Sequence, residues 1–250
     1  MFDDGHVLLQ RFEYKYRITE LQAALVRGFA RSHLSVDRHA EPVRNGQYCV
    51  YSLYLDSPDL GLYHSSHCGE KNRFKLRVRY YDDGLDTPAF VEVKARRNDV
   101  IRKQRAPVRK GHVNRLLSSY CTSTDDLLGP SAAGVATLDR FCRFASVLLA
   151  RPMVIVRYMR EAYVDPSGGP LRLTMDRGIA CLRTRAPAVT VDGPGWLDLW
   201  TPYVVLEIKF TDTFPNWARD MVEALSLERT SSAKYVQSVD ALTRVGYSLS

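Results

Sequence analysis

Arg73-Phe74-Lys75-Leu76-Arg77-Val78-Arg79-Tyr80-Tyr81 is the stretch that decides the fold. Phe74, Leu76, Val78 and Tyr80 alternate one for one with Arg73, Lys75, Arg77 and Arg79. Successive side chains of a strand point to opposite faces, so the segment reads as a strand with one apolar and one basic face. Just downstream, Phe90–Arg96 alternates Val91, Val93 and Ala95 with Glu92, Lys94 and Arg96. The short connection, with Asp83-Gly84 inside it, reads as a turn, so the two strands form a hairpin.

The same signal recurs on both sides. Arg11–Ile18 sets Phe12, Tyr14, Tyr16 and Ile18 against Arg11, Glu13, Lys15 and Arg17. Further strands are expected over Gln47–Asp56, Met153–Tyr163, Leu171–Arg177, Ile179–Thr184 and Tyr203–Phe210. Helices are expected over Thr19–Ser32, with Thr19 as N-cap and an apolar stripe at Leu21, Leu25 and Phe29, and over Val113–Leu128, Ala133–Ala150, Asn216–Ser226 and Lys234–Arg244. The helical stripes read as core. Neither a repeat nor a low-complexity linker divides residues 1–250, which read as a single α+β domain.

In 250 residues, 35 Lys and Arg face 28 Asp and Glu, a formal net charge of +7. Residues 71–110 hold thirteen of the basic and five of the acidic residues, so the excess is local and points to an anionic partner. A hydrophobic fraction of 45% with 25% charged residues excludes disorder and fibrous structure as the main state. No apolar run reaches the ~20 residues of a membrane-spanning helix. The start, MFDDGHVLLQRFEYKYRI, has no basic segment ahead of an apolar one, so no secretory signal is expected. Five widely spaced cysteines without CxxC argue against a disulfide framework or a zinc ribbon, and a cytoplasmic location is the expectation.

At least five strands carry charged or polar residues at i and i+2, hence on one face: Glu13/Lys15, Lys75/Arg77/Arg79, Glu92/Lys94, Arg172/Thr174/Asp176 and Glu207/Lys209. Arg157 in the long strand is a candidate to join them. One such strand alone would be the solvent side of an antiparallel sheet. Several, mostly of one sign, repel unless an anion lies between them. A closed barrel with its polar face inward makes a basic tunnel, its apolar outside covered by the helices. Phosphate suits it, because guanidinium forks onto phosphate oxygens and Lys adds compact charge. Glu207 and Glu13 suit Mg²⁺ or Mn²⁺, which prefer oxygen donors. Neither GxxxxGK[ST] nor GxGxxG is present. His64-Ser65-Ser66-His67-Cys68 has metal-binding residue types but reads as a connecting segment. Tyr80-Tyr81 beside Arg79 could stack nucleic-acid bases, but strand packing explains them better, and no nucleic-acid partner is expected. Trp196, Trp200 and Trp217 read as packing or surface residues. Asp99–Lys110 reads either as a solvated basic loop or as part of the site.

Tyr54-Leu55-Asp56-Ser57-Pro58-Asp59-Leu60, Leu62-Tyr63-His64 and Asn72-Arg73-Phe74-Lys75-Leu76-Arg77-Val78-Arg79-Tyr80 resemble the VTC domain. So do Arg11-Phe12-Glu13-Tyr14-Lys15-Tyr16, Val91-Glu92-Val93-Lys94, Leu206-Glu207-Ile208-Lys209-Phe210 and Ser232-Ala233-Lys234-Tyr235, in order along nearly the whole chain. This family of polyphosphate polymerase modules belongs to the triphosphate tunnel metalloenzymes, related to CYTH proteins. The resemblance implies a closed eight-stranded antiparallel β-barrel with flanking helices. It implies ATP as phosphate donor, Mn²⁺ or Mg²⁺, and growth of a linear polyphosphate chain. By motif, Lys15, Arg77, Arg79, Lys94, Arg157, Arg172, Lys209 and Lys234 would line the tunnel, with Arg77, Arg79, Lys94, Lys209 and Lys234 nearest the chemistry. Lys103 or Arg105 would add a contact, and Glu207, with Glu13, would hold the metal.

The wider superfamily opens with Glu-x-Glu-x-Lys, whereas this chain has Arg11-x-Glu13-x-Lys15. That departure leans away from a two-metal triphosphatase. A tripolyphosphatase or nucleoside triphosphatase, and a non-catalytic module binding polyphosphate or an inositol phosphate, are the rival expectations, and a membrane-protein partner is compatible with all three. Arg77→Ala and Arg79→Ala should each weaken triphosphate binding by about 1.5–3 kcal/mol, the scale of a charged hydrogen bond, as read by calorimetric titration. Unchanged affinity in both would remove them from the site.

Overall fold

The computed structural model describes residues 11–40, 46–98, 100–187, 191, 193–199 and 202–248. Asp99, Trp200 and the first ten residues, all weighed above, lie outside the described residues. The elements run β1 (Arg11–Ile18), α1 (Glu20–His33), β2 (Ser35–Val36), β3 (Gln47–Asp56), α2 (Gly61–His67), β4 (Asn72–Tyr80), β5 (Pro88–Arg97) and β6 (Val100–Arg109). Then come α3 (Val113–Ser119), α4 (Ala132–Val147), β7 (Arg151–Val164), β8 (Arg172–Arg183), β9 (Leu197–Asp198), β10 (Val204–Thr211), α5 (Asn216–Ala224) and α6 (Lys234–Arg244).

The strands form an antiparallel sheet of ten in the order β1-β10-β8-β7-β3-β4-β5-β6, with β2 beside β7 and β9 beside β8. The expected closed eight-stranded barrel is corrected on two points. The two-residue strands β2 and β9 raise the count, and the main path has two ends, β1 and β6. Each end is occupied locally. Thr230 donates its N–H to the Lys15 carbonyl at 2.8 Å, and Tyr16 bridges Arg229. Leu128 donates to the Pro107 carbonyl at 3.0 Å, and Val108 bridges Leu127. At those positions the edge is not free to template further pairing.

The chain divides into two compact units, Met1–Tyr48, Arg160–Arg177 and Thr201–Ser232 in the first, and Cys49–Met159, Gly178–Trp200 and Ala233–Ser250 in the second. In the first unit, the apolar faces of β1, β8 and β10 (Tyr16, Ile18, Leu173, Met175, Leu206, Ile208) pack on Ala23, Val26 and Ala30 of α1 and Met221 of α5. The expected stripe of α1 is rotated. Leu21 is 76% and Leu25 49% exposed, while the small residues face the sheet. The helix is then fixed by charge as well: Arg27 Nε and Nη2 reach the buried Glu161 carboxylate at 2.7 and 2.9 Å. Thr19 does cap the helix, with Gln22 closing the capping box.

In the second unit, Leu53, Leu55, Leu76, Val78, Val91, Val93, Ala106 and Val108 bury one sheet face against Val113, Leu116, Leu138 and Phe141 of α3 and α4. Helix α3 stops at Ser119, where Tyr120 takes a left-handed conformation at φ 53°. The expected helix over Val113–Leu128 is therefore cut to its first half. Tight packing follows at α2. The fully buried Asp56 carboxylate accepts from the Leu62 and Tyr63 backbone N–H groups at 2.8 Å each, and from the Tyr235 hydroxyl at 2.5 Å. Asp56 thus caps α2 and ties it to α6. Asp56→Ala should cost about 2–4 kcal/mol in urea unfolding, because it strands several buried donors at once. A loss within ~0.5 kcal/mol would remove that anchor from the account.

Candidate functional site

Strand register builds a charged face in each unit. Directly opposed residues of antiparallel strands point to the same side, so a ladder gathers side chains that are distant in sequence. In the second unit Lys75, Lys94 and Lys103 form one row across β4, β5 and β6, and Arg77, Glu92 and Arg105 form the next. Tyr54 lies across from Arg77, and Ser52 across from Arg79, on β3.

This face is cationic but not free of carboxylate. Glu92, fully buried, accepts from Arg77 Nε at 2.6 Å, and Lys103 Nζ stands 2.8 Å from its other oxygen. Burial alone would raise the Glu92 carboxyl, but Arg77, Arg79 and Lys103 outweigh it and hold it far below the usual carboxylate range. Burial opposes the charge of Arg77, and Glu92 more than restores it. Arg105 lies over the Phe90 ring, 3.4 Å from its centroid. Arg79, 7% exposed, donates from Nη2 to the Tyr158 hydroxyl at 3.4 Å, while its buried Nε has no hydrogen-bond partner. Lys234, at the start of α6, sets its Nζ 4.7 Å from the centre of the Tyr158 ring.

The first unit carries the acidic part. Lys15 pairs with Glu207, and Glu13 with Lys209, across β1 and β10; Thr174 and Arg172 of β8 continue the two rows. Lys15 Nζ stands 2.9 Å from Glu13 and 3.5 Å from Glu207, and donates to the Ser232 carbonyl at 3.0 Å. Burial works against the Lys15 charge, but Glu207 and Glu13 win and hold its ammonium well above the ordinary value. Lys209 is ion-paired with Glu207 as well. Arg172 meets the buried Asp37 at 2.6 Å.

Oxygen donors for a hard cation are present here. Glu207 and Glu13 share Lys15, and the buried Thr174 hydroxyl, across the ladder from Glu207, has no hydrogen-bond partner. Among the described residues, no group of three or more His, Cys, Asp or Glu is gathered as a metal site. Two carboxylates and a hydroxyl fit Mg²⁺ or Mn²⁺, ions that keep waters and take remaining oxygens from a phosphate. They would not make a closed protein cage. The His64–Cys68 segment is mostly helix α2 and contributes no such cluster.

Of the expected site residues, Arg77, Arg79, Lys94, Lys103, Arg105 and Lys234 come together in the second unit, and Glu13, Lys15, Arg172, Glu207 and Lys209 in the first. Arg157 is a correction. Its neighbour Tyr158 meets Arg79 on the charged side, so Arg157 points the other way and stacks its guanidinium 4.2 Å from the centre of the Trp196 ring. Another arginine of β7, Arg160, lies in the first unit. It is 8% exposed and holds Asp176 by two bonds of 2.7 and 2.8 Å. Strand β7 is buried on both faces, so alternation gave no means of choosing between these arginines. Glu92, Asp37 and Tyr54 were likewise unassigned. Glu92 stood at i−2 from Lys94 and Tyr54 opened a family motif, neither with a role, and Asp37 carried no signal.

The model of the family described as VTC domain matches residues 10–243. Over 229 residues the chain is 23% identical to vacuolar transporter chaperone complex subunit 4 of Schizosaccharomyces pombe, a match covering 77% of this chain and 32% of that protein. The chain thus spans about a third of the length of that curated relative. Among solved structures, a candidate adenylate cyclase from Bacillus halodurans matches with a TM-score of 0.50 at 12% identity, over 96% of this chain and 98% of that one. A candidate adenylyl cyclase from Hippeastrum, described as having a dominant triphosphatase activity, matches with a TM-score of 0.48 at 14% identity, over 96% and 98% of the two chains. The Bacillus likeness is one of fold.

Tyr54 reports the charge of this face. Burial pushes its phenol up, but Arg77, Lys75 and Arg79 outweigh burial and bring it down to about 8, from a usual 10.0. A depressed acid is ionised in the folded chain before the unfolded one, so its contribution to stability should grow as pH rises through about 8 and be lost as pH falls through it. Ultraviolet phenolate absorbance should show one tyrosine titrating near 8, absent in Tyr54→Phe. No difference between the two titrations would contradict the assignment.

Proposed function

The chain belongs to the VTC domain family, whose model spans residues 10–243, and from this premise we propose that it is a polyphosphate polymerase, moving the γ-phosphoryl group of ATP onto a growing linear polyphosphate with Mn²⁺ or Mg²⁺. The observation that carries this reading is the paired rows of cations on β4, β5 and β6, Lys75/Lys94/Lys103 and Arg77/Arg105, on one face around the buried Glu92. Strand register makes a repeated array of positive charge, and a linear polyphosphate is a repeated array of negative charge.

Phosphoryl transfer asks mainly for positioning and charge neutralisation. Arg77 and Arg79 would fork onto phosphate oxygens, with Lys94, Lys103 and Lys234 adding point charge. Lys15, Arg172 and Lys209 would serve phosphates in the first unit, beside the carboxylates. The terminal oxygen of polyphosphate is already ionised near neutral pH, so the attacking group needs no general base. This agrees with a face built of Arg, Lys, Glu and Tyr. Glu207 and Glu13, with Thr174 beside them, would hold the divalent ion. When bound, that ion supplies neutralisation of charge on the transferring phosphoryl oxygens. Assembly into a larger complex is proposed from the name of the Schizosaccharomyces relative, of which this chain covers a third.

Purified chain with ATP and Mn²⁺ should produce long polyphosphate visible on a gel, and Glu207→Gln should reduce its yield at least tenfold, the scale of losing one metal-directed charge. Stoichiometric orthophosphate without chains would favour a triphosphatase. Tight polyphosphate binding without ATP turnover would favour a binding module.

A further inference from the structure

Glu92 has no part in the reading above. A carboxylate inside a cationic face repels phosphate, and neither the metal role nor the phosphate role uses it. Yet it is 0% exposed and ion-paired to three cations. Arg77 Nε and Nη2 lie 2.6 and 2.5 Å from Oε2, while Lys103 Nζ and Arg105 Nε lie 2.8 and 3.4 Å from Oε1. Arg77 comes from β4 and the other two from β6, so a single side chain on the strand between them gathers cations from both neighbours. One partner would satisfy a buried carboxylate in part; three partners order an array.

We infer that Glu92 is a positioning residue for anion binding: it holds Arg77, Lys103 and Arg105 at fixed spacing, without touching the ligand itself. The inference rests on the proposed polyanion-binding function. The charged groups around Lys103 are Glu92 and Lys94 of β5, Lys75, Arg77 and Arg79 of β4, and Arg105 of its own strand; Tyr54 of β3 lies across from Arg77. Among these side chains only Glu92 is a carboxylate. Burial, joined by Arg77 and Arg79, brings the Lys103 ammonium down to about 7, against the raising influence of Glu92. Without the carboxylate, Lys103 gives up its proton at a lower pH still. A neutral Lys103 offers phosphate no charge, so the residue that sets its protonation also sets the pH range of binding.

The test is calorimetric titration with inorganic tripolyphosphate, without metal, from about pH 6 to about pH 9, a range that brackets the Lys103 transition. The unaltered chain should lose affinity as pH rises through about 7. Glu92→Gln should move that fall to lower pH, with affinity near neutrality down about tenfold, the scale of one charge-assisted contact. Lys103→Gln should show no fall near 7, keeping only the later one that Tyr54 produces near 8. The ligand's own protonation is common to all three titrations and cancels in the comparison. A midpoint in Glu92→Gln that stays put or rises would overturn the inference, whatever the affinity, because a purely structural ion pair leaves it unmoved. A pH profile of the unaltered chain that matches that of Lys103→Gln would also overturn it. Should Glu92→Gln not fold, Glu92→Asp decides, because it keeps the charge but shortens the reach to both strands: a lowered affinity supports the inference, and unchanged affinity and midpoint overturn it. Absence of tripolyphosphate binding by the unaltered chain would overturn the proposed function and this inference together.

Discussion

Cations stacked on adjacent strands repel, and in water-poor surroundings they repel strongly. In both units the repulsion is relieved by carboxylates set among the cations. Glu92 serves Arg77, Lys103 and Arg105; Glu207 serves Lys15 and Lys209; Asp37 serves Arg172; Asp176 serves Arg160. Within each unit the remaining architecture follows from keeping the charged residues on one face of its strands. Apolar residues take the alternate positions, and helices cover them: α1 and α5 in the first unit, α3 and α4 in the second. The two-residue period of the strand makes such a separation almost free of cost to the backbone.

An arrangement of this kind is ordered before any ligand arrives. Long basic side chains normally lose rotamer freedom on binding, at about 0.5–1.5 kcal/mol each. Here the carboxylates have already imposed that order. A polyanion would add its oxygens to side chains that Glu92 and Glu207 already hold, instead of organising free ones. Preorganised charge of this sort contributes most where water is thin, and under the proposed function Arg79, 7% exposed with a buried unpartnered Nε, would gain from an incoming oxygen.

Strands with clean alternation were legible from their residues alone: β1, β4 and β5 lie where Arg11–Ile18, Arg73–Tyr81 and Phe90–Arg96 predict them, within a residue or two at the ends. The segments that escaped did so for physical reasons. Strand β6 carries Arg102 and Lys103 on successive positions, hence on opposite faces, with Pro107 near its end, so it shows no period. Proline and surplus charge are tolerated there because β6 ends the path of the sheet. Strand β8 continues through Gly178 at φ 56°, which splits its pattern into two apparent strands. Helix α1 was legible in extent but not in orientation. Leu21 and Leu25 lie outward while Phe29 packs at the core's edge, because Ala23, Val26 and Ala30 bring the helix close to the sheet.

The sequence by itself determined which residues share a strand face, since that follows from a fixed two-residue period. It therefore determined that Lys75, Arg77 and Arg79 stand together, as do Glu13 with Lys15 and Glu207 with Lys209. It also determined, through its motifs, the family. Only the tertiary structure decided which strands become neighbours and in what register, because that depends on contacts between segments far apart in the chain. Register put Glu92 between Arg77 and Arg105, and Lys15 against Glu207. Packing turned Arg157 toward Trp196 and Arg160 toward Asp176. A strand buried on both faces has no period from which those directions could be read, so the fold alone decides where each arginine points.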